Sequence, residues 1–108
     1  MKTEDVINKL SLKVLAGEIP EEFEGVYAGD FLSRAMSRVS EGDLWITIMN
    51  NINVIAVASL TDAAAVVLAE DVTMEQSVLD AANAKGICVF TCGRTVYEIC
   101  RDIASVVS

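Results

Sequence analysis

The stretch EGDLWITIMNNINVIAVASL, Glu41 to Leu60, decides the fold class. Its opening, Glu41-Gly42-Asp43, has turn chemistry. Residues 44–48, with Trp45, Ile46 and Thr47, then form an apolar run rich in strand-favouring side chains. Asn50 to Leu60 admits two readings. Ile52, Val54, Ile55 and Val57 are β-branched and suit a strand. The run is also long, and Asn50 and Asn51 are good helix caps, so a helix buried nearly all round reads the same way. The helix reading is preferred, which makes the stretch a strand–loop–helix unit.

The same alternation extends in both directions. Upstream, residues 3–10 suit a short helix, with Thr3 as cap and Glu4 and Asp5 in its first turn. Residues 13–16 and 25–28 are short strand candidates, separated by a polar loop with the only proline, Pro20. Gly29-Asp30 opens a helix with Asp30 as N-cap. Phe31, Leu32, Ala35, Met36 and Val39 fall at helical spacing, and Arg34 and Arg38 lie opposite. Downstream, residues 64–68 read as a buried strand. Thr73 caps a helix to about residue 84, with Gln76 placed to complete a capping box and Gly86 to stop it. Residues 87–91 form another apolar strand. A last amphipathic helix carries Val96, Ile99, Cys100, Ile103 and Val107 on one face.

Apolar strands alternating with helices imply a three-layer α/β domain with a mostly parallel sheet covered on both faces. At 108 residues the chain suits one domain. Residues 1–24 form a lead-in of helix, strand and loop, and residues 25–108 form the body. Hydrophobic residues make up 53% and the mean hydropathy is +0.44. Either the strands are buried on both faces or a partner covers apolar surface, most simply a second copy.

The charge balance, 8 basic against 16 acidic residues, gives −8. It argues against nucleic acid and against anionic membranes, both of which need clustered cations. The N-terminus is polar rather than signal-like, and no apolar run approaches a membrane span. A cytoplasmic protein is expected. An odd number of cysteines, Cys88, Cys92 and Cys100, suits free thiols in a reducing compartment. Cys88 and Cys100 read as core residues. Cys92, beside Gly93 at a strand end, reads as a thiol open to exposure.

The chain contains no histidine, so the commonest general base and the Ser-His-Asp and Cys-His arrangements are missing. No phosphate-binding glycine loop of either common type occurs. No cofactor, metal site or catalytic residue is expected. Ligands of parallel sheets sit beyond the carboxyl ends of the strands. The candidate binding residues there are Asp30, Ser33, Thr47, Asn50, Asn51, Asn53, Arg94 and Thr95. Thr47, Asn50, Asn51 and Asn53 form a neutral polar cluster, and Arg94-Thr95 at a helix start suits an anion. Asp30 reads as cap or ligand contact. Glu70-Asp71 reads as a solvated loop or as a hard-cation contact.

Residues 26–103 also resemble the DRTGG domain, most of all its small stand-alone bacterial members. The resemblance is carried by Gly29-Asp30-Phe31-Leu32-Ser33, Met36, Glu41-Gly42-Asp43-Leu44-Trp45-Ile46-Thr47, Asn53 and Ala56-Val57-Ala58-Ser59-Leu60. Lys13-Val14-Leu15-Ala16-Gly17 resembles the lead-in of the same members. The resemblance implies a fold like the N-terminal domain of HPr kinase/phosphorylase, often a homodimer, and supports the helix after Asn51. It also implies a regulatory or accessory module, of the kind that accompanies CBS domains in regulated pyrophosphatases. The catalytic P-loop of that kinase is missing, so kinase activity is not expected. Where the family's Asp-Arg would fall stands approximately Asn50-Asn51. Where Thr-Gly-Gly would fall stands Ala69-Glu70-Asp71, so two carboxylates replace two glycines. The function expected is a non-catalytic regulatory or protein-interaction homodimer. The alternative is a sensor of a nucleotide or acidic metabolite, and an HPr-kinase-related enzyme ranks below both.

Overall fold

The computed structural model describes residues 1–107. In chain order the elements are α1 (Thr3–Leu10), β1 (Lys13–Ala16), β2 (Val26–Ala28), α2 (Leu32–Arg38), β3 (Leu44–Thr47), α3 (Ile52–Thr61), β4 (Ala65–Leu68), α4 (Gln76–Lys85), β5 (Val89–Thr91) and α5 (Val96–Val107). The stretch after Asn51 is a helix, as preferred. Its interior face, Val54, Ile55, Val57 and Ala58, is buried, and the Asn51 side chain accepts the Asn53 amide at 2.9 Å.

The five strands form one sheet in the order β1-β5-β4-β3-β2. β2 to β5 are parallel neighbours in sequence order. Each step from β2 to β5 moves one place along the sheet, so α2, α3 and α4 stack on a single face, as right-handed crossovers require. α1 and α5 cover the other face. β1 joins antiparallel to β5, pairing Lys13 with Thr91 across an irregular register.

Two apolar clusters fill the gaps between layers, and strand alternation separates them. Trp45, Val66, Leu68 and Val89 pack with α2, α3 and α4. Leu44, Ile46, Val67 and Phe90 pack with α1 and α5. The three-layer architecture thus follows from strands that are apolar on both faces.

Several local expectations change. Thr3 does not cap α1; Lys2 is the N-cap, and Thr3 lies inside the helix with a buried hydroxyl that has no hydrogen-bond partner. The Thr3 amide instead donates to the Glu21 carbonyl, tying the helix start to the lead-in loop. Asp30 does not cap α2. Phe31 takes the N-cap position without a side-chain bond, because Asp30 is held by β3. Thr73 does not cap α4, which begins three residues later behind Glu75. The Val72 carbonyl accepts Thr91 Oγ1 and the Thr73 carbonyl accepts Asn50 Nδ2. Those bonds keep the chain extended and delay the helix. Phe31 and Met36 are exposed rather than core, because α2 has only two turns and buries Ala35 alone within the helix. Cys92 is buried, not exposed: its amide donates to Leu68 and its carbonyl accepts Asp71, extending the β4–β5 ladder past the strand ends. Cys100 is half-buried.

Candidate functional site

The carboxyl ends of β2, β3, β4 and β5 lie along one edge of the sheet, and most of the candidate polar residues occupy the loops that leave it. Asp30 and Thr47 meet there. Asp30 Oδ1 accepts Thr47 Oγ1 at 2.7 Å and the Ile48 amide at 3.0 Å. Thr47 Oγ1 in turn accepts the Met49 amide at 3.1 Å. Beneath them, Trp45 Nε1 donates to the Gly29 carbonyl at 3.0 Å. These bonds lock the β2–α2 loop onto the β3–α3 loop.

The Asn50 side chain donates to the Thr73 carbonyl at 2.7 Å, and Asn51 serves as the cap of α3. The two asparagines also line a cleft of about 370 Å³ with Ile52, Glu75, Ser77 and Val78, between the starts of α3 and α4. α4, which starts beside this cleft, has no side-chain cap. The contribution of Glu75 and Ser77 carries no sequence signal beyond the helix start itself. Glu75 brings a carboxylate to the rim, which opposes an anion.

Glu70 and Asp71 form the tip of a tight turn, both with left-handed φ of 57° and 60°. Val72 closes the turn by donating to the Ala69 carbonyl at 3.1 Å, and Glu70 and Asp71 amides donate to Arg94 and Cys92 carbonyls. No group of three or more acidic, cysteine or histidine side chains that could hold a metal occurs among the described residues.

Arg94 and Thr95 are committed to α5. Arg94 Nη1 donates to Asp102 Oδ2 at 3.0 Å, and Arg101 Nε donates to Asp102 Oδ1 at 3.1 Å. The Arg101 hydrogen bond, with the positive charges of Arg101 and Arg94, holds the Asp102 carboxyl below the usual aspartate range. Thr95 and Glu98 form a reciprocal capping box: Thr95 N donates to Glu98 Oε1 at 3.0 Å, and Glu98 N to Thr95 Oγ1 at 3.2 Å. That box lowers the Glu98 carboxyl as well. Its Thr-x-x-Glu spacing is visible in the sequence. Ser33 on α2 and Asn53 on α3 are exposed. Of the eight candidates, the structure brings Asp30 to Thr47 and Asn50 beside Asn51, and ties Arg94 and Thr95 into α5. Burial pushes the Cys88 thiol up to about 12 and raises Cys92 and Cys100. None of the three is therefore poised as a thiolate.

The turn at Glu70-Asp71 holds left-handed backbone at two successive positions, where glycines would sit without strain. The DRTGG domain model matches residues 5–106, nearly the whole chain. This chain belongs to the DRTGG domain family. The DRTGG fold is also seen in the crystal structure of the CBS and DRTGG domains of the regulatory region of Clostridium perfringens pyrophosphatase, complexed with its activator diadenosine tetraphosphate. The two superpose with a TM-score of 0.75 at 16% identity, over 94% of this chain and 45% of that one. The present chain thus spans less than half of that regulatory region. No curated protein sequence matches it. Within the DRTGG frame, Asn50-Asn51 and Ala69-Glu70-Asp71 stand at the carboxyl ends of β3 and β4, on the same edge as Asp30 and Thr47. No described helix is long and apolar enough to cross a membrane.

Proposed function

We propose that this DRTGG chain is a non-catalytic regulatory or protein-interaction domain that works as a homodimer. The observation that carries this reading is how the polar and apolar side chains are used. Asp30, Thr47, Asn50, Asn51, Arg94 and Thr95 are spent on hydrogen bonds within the chain. Val26, Tyr97 and Val107, by contrast, are exposed. Large apolar side chains on a small acidic domain point to a covered surface. The histidine-free composition and the raised cysteine thiols leave little for acid–base or nucleophilic chemistry. Light scattering on the purified chain at micromolar concentration tests the reading. A mass of two chains is expected, and a clean monomer would refute it.

The likeness to a nucleotide-regulated region supports a second reading, a sensor of a nucleotide or acidic metabolite, with the cleft between α3 and α4 as its candidate place despite the Glu75 carboxylate on its rim. The regulatory region of the clostridial pyrophosphatase, part of which shares this fold, is complexed with a dinucleotide activator. A thermal-shift screen with nucleotides and acidic metabolites separates the two readings. A ligand at 100 times its dissociation constant adds about 2.7 kcal/mol of stability. Asn50 and Ser77 substitutions would abolish a shift that arises in this cleft.

A further inference from the structure

We propose that the open edge of β2 and the apolar groove beside it form the surface on which two copies of this chain pair about a two-fold axis. The proposal rests on the homodimer reading and names its interface.

β2 is the last strand of the sheet and pairs only with β3. The Gly25 carbonyl accepts Leu44 and the Gly29 amide donates to Ile46, both toward β3. By the alternation of a parallel ladder, the amides and carbonyls of Val26 and Ala28 turn outward. Such an edge is a template for another strand. The same two residues place their side chains toward α5. There they line a groove of about 360 Å³ with Cys100, Ile103, Ala104 and Val107.

α5 explains why the groove stays open. Its core seam runs through Ile99 and Ile103, both buried. At 100° per residue, Val107, Cys100, Ala104 and then Tyr97 follow around the helix on the side away from α1. Val107 remains 40% exposed and Tyr97 72%. The apolar arc is therefore wider than a sheet ending at β2 can cover.

Two properties select a second copy as the occupant. An antiparallel image of β2 sets Val26 opposite Ala28, so each outward amide meets an outward carbonyl and the edge satisfies itself. The charge pattern also fits. The groove carries no charge in a chain with 16 acidic residues, so pairing here sets neutral surface on neutral surface. The helix that follows β5 runs back against the strand direction. The two-fold therefore carries the N-terminal half of α5, with exposed Tyr97, in one copy toward the start of β2 in the other, extending the apolar contact. A standard interface takes roughly 800 Å² from each partner. That is about one seventh of the 5623 Å² surface of this chain, within reach of an edge strand plus the flank of a helix about 18 Å long.

The test uses the full chain and three single substitutions at exposed sites, each checked for folding by circular dichroism. Val26→Lys and Ala104→Glu are expected to weaken the dimer by roughly tenfold or more, because each buries an unpaired charge at the joint. Leu60→Glu, on the exposed side of α3, is expected to leave it intact. Hydrogen exchange supplies a second readout: the Val26 and Ala28 amides should be protected in the dimer and fast in the Ala104→Glu chain. A monomeric wild type would overturn both the dimer and its interface. A wild-type dimer that survives Val26→Lys and Ala104→Glu, with fast edge amides, would overturn the interface alone. So would a dimer broken by Leu60→Glu.

Discussion

Asp30 and Thr47 join the carboxyl ends of β2 and β3 through a 2.7 Å hydrogen bond between side chains. Thr47 is fully buried, so its hydroxyl has few alternative partners. Thr47→Val and Asp30→Ala should each cost about 1 kcal/mol, the usual net value of one such bond. Because both remove the Asp30–Thr47 bond, beside the separate Ile48 and Met49 amide bonds, the double variant should cost clearly less than the sum. Urea unfolding of the four chains completes the cycle, and strict additivity would show that the bond contributes nothing.

Glu70 and Asp71 hold left-handed backbone in successive positions. That conformation costs an ordinary residue about 1–2 kcal/mol relative to glycine's free access to it. Part of the gain from substitution is lost to the entropy of glycine in the unfolded chain. Glu70→Gly should therefore raise stability by about 0.5–1 kcal/mol. Asp71→Gly should gain less, since Asp tolerates the left-handed region better than Glu. A fall in the urea midpoint for Glu70→Gly would contradict this account.

Asp102 sits between Arg94 and Arg101. The Arg101 hydrogen bond lowers its pKa from the ordinary 3.8, so the folded chain releases this proton more readily than the unfolded one. Its contribution is fully present above that value and is lost as pH falls through the lowered folded value. Glu98, lowered from 4.5 by the Thr95 bonds, acts in the same direction. Stability should thus decline on acidification below these values. Asp102→Asn should be less stable at neutral pH and show a shallower acid limb. Urea midpoints across an acid pH series read both effects, and an unchanged acid limb in the variant would remove Asp102 from the account.

Gly17 and Gly86 both have left-handed φ, of 75° and 70°, but differ in their surroundings. A Cβ at Gly17 would overlap the Ile87 carbonyl, whereas one at Gly86 meets nothing within 4 Å. Gly86→Ala should cost about 1 kcal/mol, the backbone penalty alone. Gly17→Ala should cost roughly 2 kcal/mol or more, because the clash is with backbone and the Gly17 amide also holds Asn83. Thermal unfolding of the pair gives the difference, and equal losses would refute the steric argument.

Much of the fold is legible along the chain, because local chemistry carries it. The apolar runs at Leu44–Thr47 and Ala65–Leu68 lack polar alternation, which already demands cover on both faces. Gly86 stops α4 in the left-handed region, as a C-terminal glycine does. The β-branched run after Asn51 is the instructive case. Its residues favour a strand singly, yet cap and length favour a helix, and burial against α2 and α4 supplies the stabilisation that propensity withholds. The candidate site is less legible. Asp30 has the composition of a cap, and nothing near it in sequence marks Thr47, 17 residues on, as its partner.

By itself, then, the sequence determined a strand–helix alternation, strands meant for burial, an acidic surface without histidine, and membership in the DRTGG family. Only the tertiary structure decided that Asp30 holds β3 rather than α2, that Arg94 belongs to Asp102, and that β1 closes one edge antiparallel to β5 while β2 leaves the other open. The reason is physical. Turn, cap and periodicity preferences act over a few residues and are written locally. A hydrogen-bond partner or an uncovered edge depends on which distant segments the packed layers bring together.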